Sequence, residues 1–208
     1  MAITELVFLH PKPSHDHLEL LECFMEYLES QDEWSRQHQP HIHRGERKEN
    51  LSTLFITTTD PLTILMISPW DSLQAQEEWL QFEEDEGIFK KLGQVVVEEH
   101  HDISRFYVHP VSNLREVPDV RDIASPVELC VMSTSEVEER TVLAEFDQLD
   151  KVTLEGGGYA WGGWKLNKSG DTPKFVCLVA KGGNPLSEFV DRVGLSAPSN
   201  VRCFHPLV

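Results

Sequence analysis

The alternation of apolar and polar positions runs through the same cycle twice. "TELVFLH" (Thr4–His10) is rich in β-formers and is stopped by the breaker "PKPS", which predicts a strand. In "DHLELLECFMEYLESQDEW", Leu18, Leu21, Met25 and Leu28 fall at helical spacing, and Asp16 followed by Glu19 makes a capping-box start. "STLFITTT" and "LTILMISPW", joined through Asp-Pro, predict a hairpin. "DSLQAQEEWLQFEEDEGIFKKLGQVV" predicts a helix broken near Gly87, with Asp71 and Gln74 as its cap pair. "DISRFYVHPV" predicts a closing strand, so the order is β-α-β-β-α-β.

"HPVSNLREVPDVRDIASP" carries three prolines and no clear period, which suits a linker. The cycle then recurs. "VELCVMS" predicts a strand, and "SEVEERTVLAEFDQLDKV" a helix with Val142, Phe146 and Leu149 on one face and Ser135 with Glu138 as capping box. "GGYAWGGWKLN" and "KFVCLVAKG" pair around "KSGDTP". "NPLSEFVDRVGL" is a helix with Asn184 as N-cap and Pro185 at its first position. "NVRCFHPL" closes the second copy, and both copies end on His-Pro.

The implied fold class is α+β: two ferredoxin-like βαββαβ repeats within one chain, packed sheet to sheet. The boundaries expected are 1–111 for the first repeat, 112–126 for the linker and 127–208 for the second, divergent repeat. A cavity between the two sheets is the natural place for a ligand.

Composition narrows the partners. The formal net charge of −17 repels a polyphosphate, so nucleic acid is not expected. No run approaches the length of a membrane helix, and "MAITELVFLH" reads as a strand rather than a signal, so a soluble, cytoplasmic protein is expected. Cys23, Cys130, Cys177 and Cys203 are scattered without a CxxC pair. The last three sit in apolar runs, where a thiol behaves as a small hydrophobe; a disulfide or reactive thiol is the other reading.

"LTILMISPWDSLQAQEEWL" resembles the strand-Trp-Ser-helix passage of antibiotic biosynthesis monooxygenase-type domains, and "EEHHDISRFYVHPV" is similar to the closing strand of their fungal members. The resemblance covers roughly residues 3–111. It implies the dimeric α+β barrel superfamily, here as a fused pseudo-dimer, monomeric with further self-association open. That superfamily spans cofactor-free oxygenases, polyketide cyclases and haem enzymes, so the likeness supports the fold more than an activity.

Strand parity selects the candidate chemistry. In the closing strand of the first copy, His101, Arg105, Tyr107 and His109 share a side. The opposite side, with Phe106 and Val108, reads as helix-facing. His101 and Tyr107 then reach the cavity as an acid–base pair, or His101 is simply solvated at the strand's start. His41 and His43 alternate ahead of a charged loop; they are read as solvated, as a catalytic His43, or as part of a metal set with His100 and His101. Five glycines surround Tyr159, Trp161 and Trp164, which reads either as a bent strand with core tryptophans or as a close backbone approach to a ligand beside an aromatic wall. His10, His109 and His205 each precede a proline and read as punctuation; nothing selects one as a haem ligand.

The functional expectation is a cofactor-independent enzyme of natural-product (secondary metabolite) biosynthesis acting on an apolar or aromatic small molecule. A cyclase, isomerase or lyase step comes first, with His101 or His43 as base and Tyr107 as acid. Arg105, His41, Tyr159, Trp161 and Trp164 are expected to bind substrate. A cofactor-free monooxygenase is the second reading and a non-catalytic ligand-binding or stress-response barrel the third. No metal and no cofactor enter any of them.

Overall fold

A computed structural model describes residues 2–14, 16–39, 52–58, 61–97, 105–111, 126–135, 138–166, 172–180, 185–193 and 202–207. The chain forms two compact units, Met1–Phe106 and Tyr107–Val208. Both mix helices with antiparallel strands.

In the first unit, β1 (Ile3–Pro11) lies antiparallel to β3 (Ile64–Trp70), with Ile3 opposite Trp70 and Leu9 opposite Ile64. β2 (Thr53–Ile56) forms the hairpin with β3, and β4 (Val96–Val97) pairs with the end of β1 through His10 and Val97. The strand order is therefore β2-β3-β1-β4. α1 (His17–His38) and α2 (Leu73–Glu86) supply the helical layer, followed by α3 (Ile88–Val95). The break foreseen at Gly87 is real: its φ of 67° ends α2 in the left-handed region and starts α3.

Two local readings are corrected. The buried stripe of α1 runs through Leu20, Phe24, Tyr27, Leu28, Gln31 and Trp34, whereas Leu18 is 68% exposed and Met25 is also on the surface. Three aromatic rings outweigh the leucine spacing, because each buries more apolar area than an aliphatic side chain. At the start of α2 the cap is Ser72, whose Oγ accepts from Ala75 N at 3.1 Å, rather than Asp71.

The second unit holds β6 (Val127–Ser133), α4 (Glu139–Glu155), β7 (Tyr159–Lys165), β8 (Lys174–Ala180), α5 (Pro185–Val193) and β9 (Arg202–Pro206). Its order is β7-β8-β6-β9, and β5 (Arg105–Pro110) adds to the free edge of β7. The sequence predicts "RFYVHP" as the strand closing the first copy, and its Phe106 ring lies 5.7 Å from Phe8 of β1; Val108 stands opposite Lys165, and His109 opposite Trp164. Here α4 presents Val142, Phe146 and Leu149, as the sequence indicated, and they pack with Phe189 of α5 over Phe175 and Cys177.

Candidate functional site

The helix-bearing side of the first unit's sheet is polar where a core should be apolar. Residues directly opposite in an antiparallel pair point the same way. Glu5 thus shares a side with Ser68 and, one step along, with Trp70. Glu5 is 2% exposed, yet it sits in the middle of an apolar strand. Its Oε2 accepts from Trp70 Nε1 at 2.9 Å, and its Oε1 accepts from Gln76 Nε2 of α2 at 3.2 Å. Both of these partners are neutral donors.

A second set of bonds extends the polar layer. Ser52 Oγ bonds to Ser68 Oγ at 2.8 Å and to Gln31 Oε1 of α1. Gln39, the C-cap of α1, accepts from Asp71 N at 2.8 Å and donates to Ser35 Oγ at 3.2 Å, which ties the end of α1 to the start of α2. Asp32 and Glu83 are also buried, and Asp32 pairs with Arg36 one turn on. Gln31 Nε2, Gln76 Oε1 and Asp32 Oδ1 are buried and have no hydrogen-bond partner among the described residues. Such atoms cost about 1–3 kcal/mol each unless something pairs with them.

Around this layer stand indole rings. Trp34 lies 6.2 Å from Trp70 and 5.8 Å from Trp79, centroid to centroid, and Trp79 donates to Tyr27 Oη at 3.3 Å. His38 stacks on Trp34 at 4.4 Å. A carboxyl, two carboxamides and two hydroxyls thus lie buried beside indole rings, and a carboxyl in such a place is a candidate for moving a proton.

The corresponding layer of the second unit contrasts with it. Phe146, Leu149, Phe175, Cys177, Leu186 and Phe189 close it with apolar side chains. Burial pushes the Cys130 thiol up to about 11 and raises that of Cys177 well above its ordinary value, with Cys130 directly opposite it in the β6–β8 register. These two behave as the small hydrophobes foreseen. Cys203, read the same way, is exposed instead.

The residues singled out from the sequence are scattered. His41, His43, His100 and His101 lie outside the described residues, as does the Arg105 side chain, although Arg105 opens β5. Tyr107 is half-buried. The β5–β7 register puts it on the side of His109 and Trp164, which carries the helices, and puts Val108 on the side of Trp161, which reverses the parity reading. Tyr159 and Trp161 do share a face, on the side away from α4 and α5. Trp161 is fully buried there, and its Nε1 has no partner among the described residues. Trp164 does not join them: it packs on the helix side with its ring 5.0 Å from Phe175.

The glycines between these aromatics make room for protein. A Cβ on Gly163 would meet the His109 carbonyl oxygen at 2.2 Å, and one on Gly162 would meet the rings of Phe146 and Phe175 at 2.8–2.9 Å. His10 Nδ1 lies 3.4 Å from the Leu62 carbonyl oxygen. Among the described residues no group of three or more His, Cys, Asp or Glu side chains is arranged to hold a metal ion, and no helix is long and apolar enough to cross a membrane.

Sequence reasoning missed Glu5, Gln31, Ser52, Ser68 and Gln76. One signal for them was present: Glu5 interrupts the apolar parity set Ile3, Val7 and Leu9.

No protein-family model matches the chain, and no curated protein matches it by sequence. Solved structures do match in fold. An anthrone oxidase-like protein aligns with a TM-score of 0.60 and 8% identity, over 100% of this chain and 92% of its own. A candidate monooxygenase from Fusobacterium nucleatum subsp. nucleatum aligns at 0.56 with 6% identity, over 99% and 94%. A candidate chlorite dismutase aligns at 0.55 with 9% identity, over 100% and 95%. At such identities the likeness establishes the fold, which is of the dimeric α+β barrel type.

Proposed function

We propose that this protein is a cofactor-independent oxygenase acting on an electron-rich aromatic small molecule, with Glu5 as the group that takes the substrate's first proton. The observation carrying this reading is the Glu5 carboxyl, buried and bonded to Trp70 and Gln76 in a layer where Gln31 Nε2 and Gln76 Oε1 have no partner among the described residues. The names of the fold neighbours, anthrone oxidase-like protein and monooxygenase, support the same chemistry.

The reaction balances without a cofactor. A methylene flanked by aromatic rings and activated by a carbonyl loses a proton to Glu5. The resulting carbanion gives an electron to molecular oxygen, and the two radicals combine as a peroxide. The second methylene hydrogen leaves as a proton, and the O–O bond breaks as the ketone forms. Glu5 returns its proton to the departing hydroxide, which becomes water. Substrate CH2 plus O2 thus gives C=O plus H2O. The protein's share is to expose the carbanion only where water is excluded.

The cyclase, isomerase or lyase reading draws no support from the described residues, because it relied on Tyr107 facing away from the helices. His101 and His43 remain proposed bases in competition with Glu5. We also infer that the two units are copies of one βαββαβ plan, since β2-β3-β1-β4 and β7-β8-β6-β9 repeat the same order. A small-molecule substrate, a cytoplasmic setting, no nucleic-acid or membrane partner and a chain that carries both halves complete the proposal.

The test is oxygen uptake by chelator-treated protein with a hydroxyanthrone. The reading requires uptake above the uncatalysed rate and one atom of labelled oxygen in the quinone product. Uptake equal to the buffer control across a panel of electron-rich tricyclic and bicyclic phenols removes it.

A further inference from the structure

We propose that Trp70 and Glu5 form a proton-coupled redox pair: the indole gives up one electron while its Nε1 proton passes along the existing hydrogen bond to the carboxylate. An oxidised indole is a strong N–H acid, so its fate depends on what the nitrogen faces. Trp70 Nε1 donates to Glu5 Oε2 at 2.9 Å in a buried surrounding, where a hydrogen bond is stronger than in water. The proton has somewhere to go, and the neutral radical is left without a buried positive charge.

Trp79 donates instead to the Tyr27 hydroxyl oxygen at 3.3 Å, a weaker base than a carboxyl oxygen. Trp34 stands between the two, 5.8 Å from Trp79 and 6.2 Å from Trp70. His38, an exposed residue of the last turn of α1, stacks on Trp34 at 4.4 Å. The rings therefore form a chain of aromatic contacts from the outer end of α1 to Trp70. Gln76 fixes the second carboxylate oxygen, so that Oε2 stays on the indole.

The oxidant is an oxygen-centred radical formed beside the layer. It takes the electron from Trp70 and a proton from solvent water, which is left as hydroxide, and becomes an alcohol or water. The indole proton rests on Glu5, and a one-electron reductant with return of that proton restores the pair. The value of such a sink during turnover rests on the oxygenase reading. The redox pair itself does not, because it depends only on the Trp70–Glu5 bond and the ring stack.

The experiment is flash-quench oxidation of the full chain by photogenerated tris-bipyridyl ruthenium(III), without substrate, read by transient absorption and electron paramagnetic resonance. Wild type is expected to give a neutral tryptophan radical whose formation slows in deuterated water. Trp70→Phe should lose that signal, Trp34→Phe should lower its yield, and Glu5→Gln should replace it by the radical cation. Each variant is first compared with wild type by circular dichroism. Should Glu5→Gln fail to fold, the deuterium effect on wild type and the Trp70→Phe signal still decide. A neutral radical that persists in Trp70→Phe, a cation radical in wild type, or no tryptophan radical at all overturns the proposal. Oxygen uptake is measured separately, so loss of the oxygenase reading leaves this result readable.

Discussion

Gly163 lies so close beneath His109 that a Cβ on it would come within 2.2 Å of the His109 carbonyl oxygen and 2.5 Å of the Val108 side chain. That approach is how β5 joins β7, and it explains why a strand carries adjacent glycines. Backbone cannot swing aside as a side-chain tip can. Gly163→Ala is therefore expected to cost about 1–3 kcal/mol, the usual range for overpacking, and more than Gly162→Ala, which meets two rings able to shift. Urea unfolding of both variants checks the order; equal midpoints would remove the β5–β7 explanation.

Glu5→Leu keeps the bulk of the side chain but strands the Trp70 indole N–H and the Gln76 amide. Two buried donors left unpaired are expected to cost about 1–3 kcal/mol each. Glu5→Gln, which still offers an acceptor to Trp70, should lose less. Thermal unfolding of the two variants gives the comparison, and a stable Glu5→Leu protein would mean that the carboxylate is not bonded as described.

Thiol labelling separates the cysteines. Cys203 is exposed and Cys23 half-buried, whereas Cys130 and Cys177 are buried and their thiols are pushed up by that burial. A maleimide or iodoacetamide is expected to modify Cys203 first and Cys23 more slowly. Cys130 and Cys177 should react only as the chain unfolds, because the reactive form is the thiolate. Peptide mapping by mass spectrometry reads this directly.

Ser135 N and Oγ both donate to Glu138 Oε2 at 2.8 Å, ahead of α4. The Ser135 backbone N–H, followed by its hydroxyl, holds the Glu138 carboxyl below its ordinary value. For a lowered carboxyl, the stabilisation is complete above the unfolded-state value and vanishes as pH falls through the folded one. Glu138→Gln should therefore be less stable than wild type at neutral pH, and the difference should close in acid below the carboxylate range. A difference independent of pH would show that the charge plays no part.

Legibility in the sequence varied with how local the cause was. Val142, Phe146 and Leu149 on α4 and the break at Gly87 follow from spacing and from glycine's freedom, and both were readable. The α1 stripe was misphased, since spacing alone cannot weigh Phe24, Tyr27 and Trp34 against Leu18 and Met25. The pairing of β5 with β7 involves Gly163, more than fifty residues away, and a non-local register has no local signature. The polar layer was hidden for a related reason. Glu5, Gln31 and Gln76 each look like ordinary surface residues until β1, α1 and α2 are brought together.

The most direct measurement of the central claim is the oxygen-uptake rate of Glu5→Gln against wild type on the same hydroxyanthrone, with His43→Gln and His101→Gln alongside. If Glu5 takes the substrate's proton, its variant falls by about 10²–10⁴-fold, the usual contribution of a general base, while both histidine variants stay near wild type. A Glu5→Gln protein that is folded and fully active would contradict the account and return the role of base to His43 or His101.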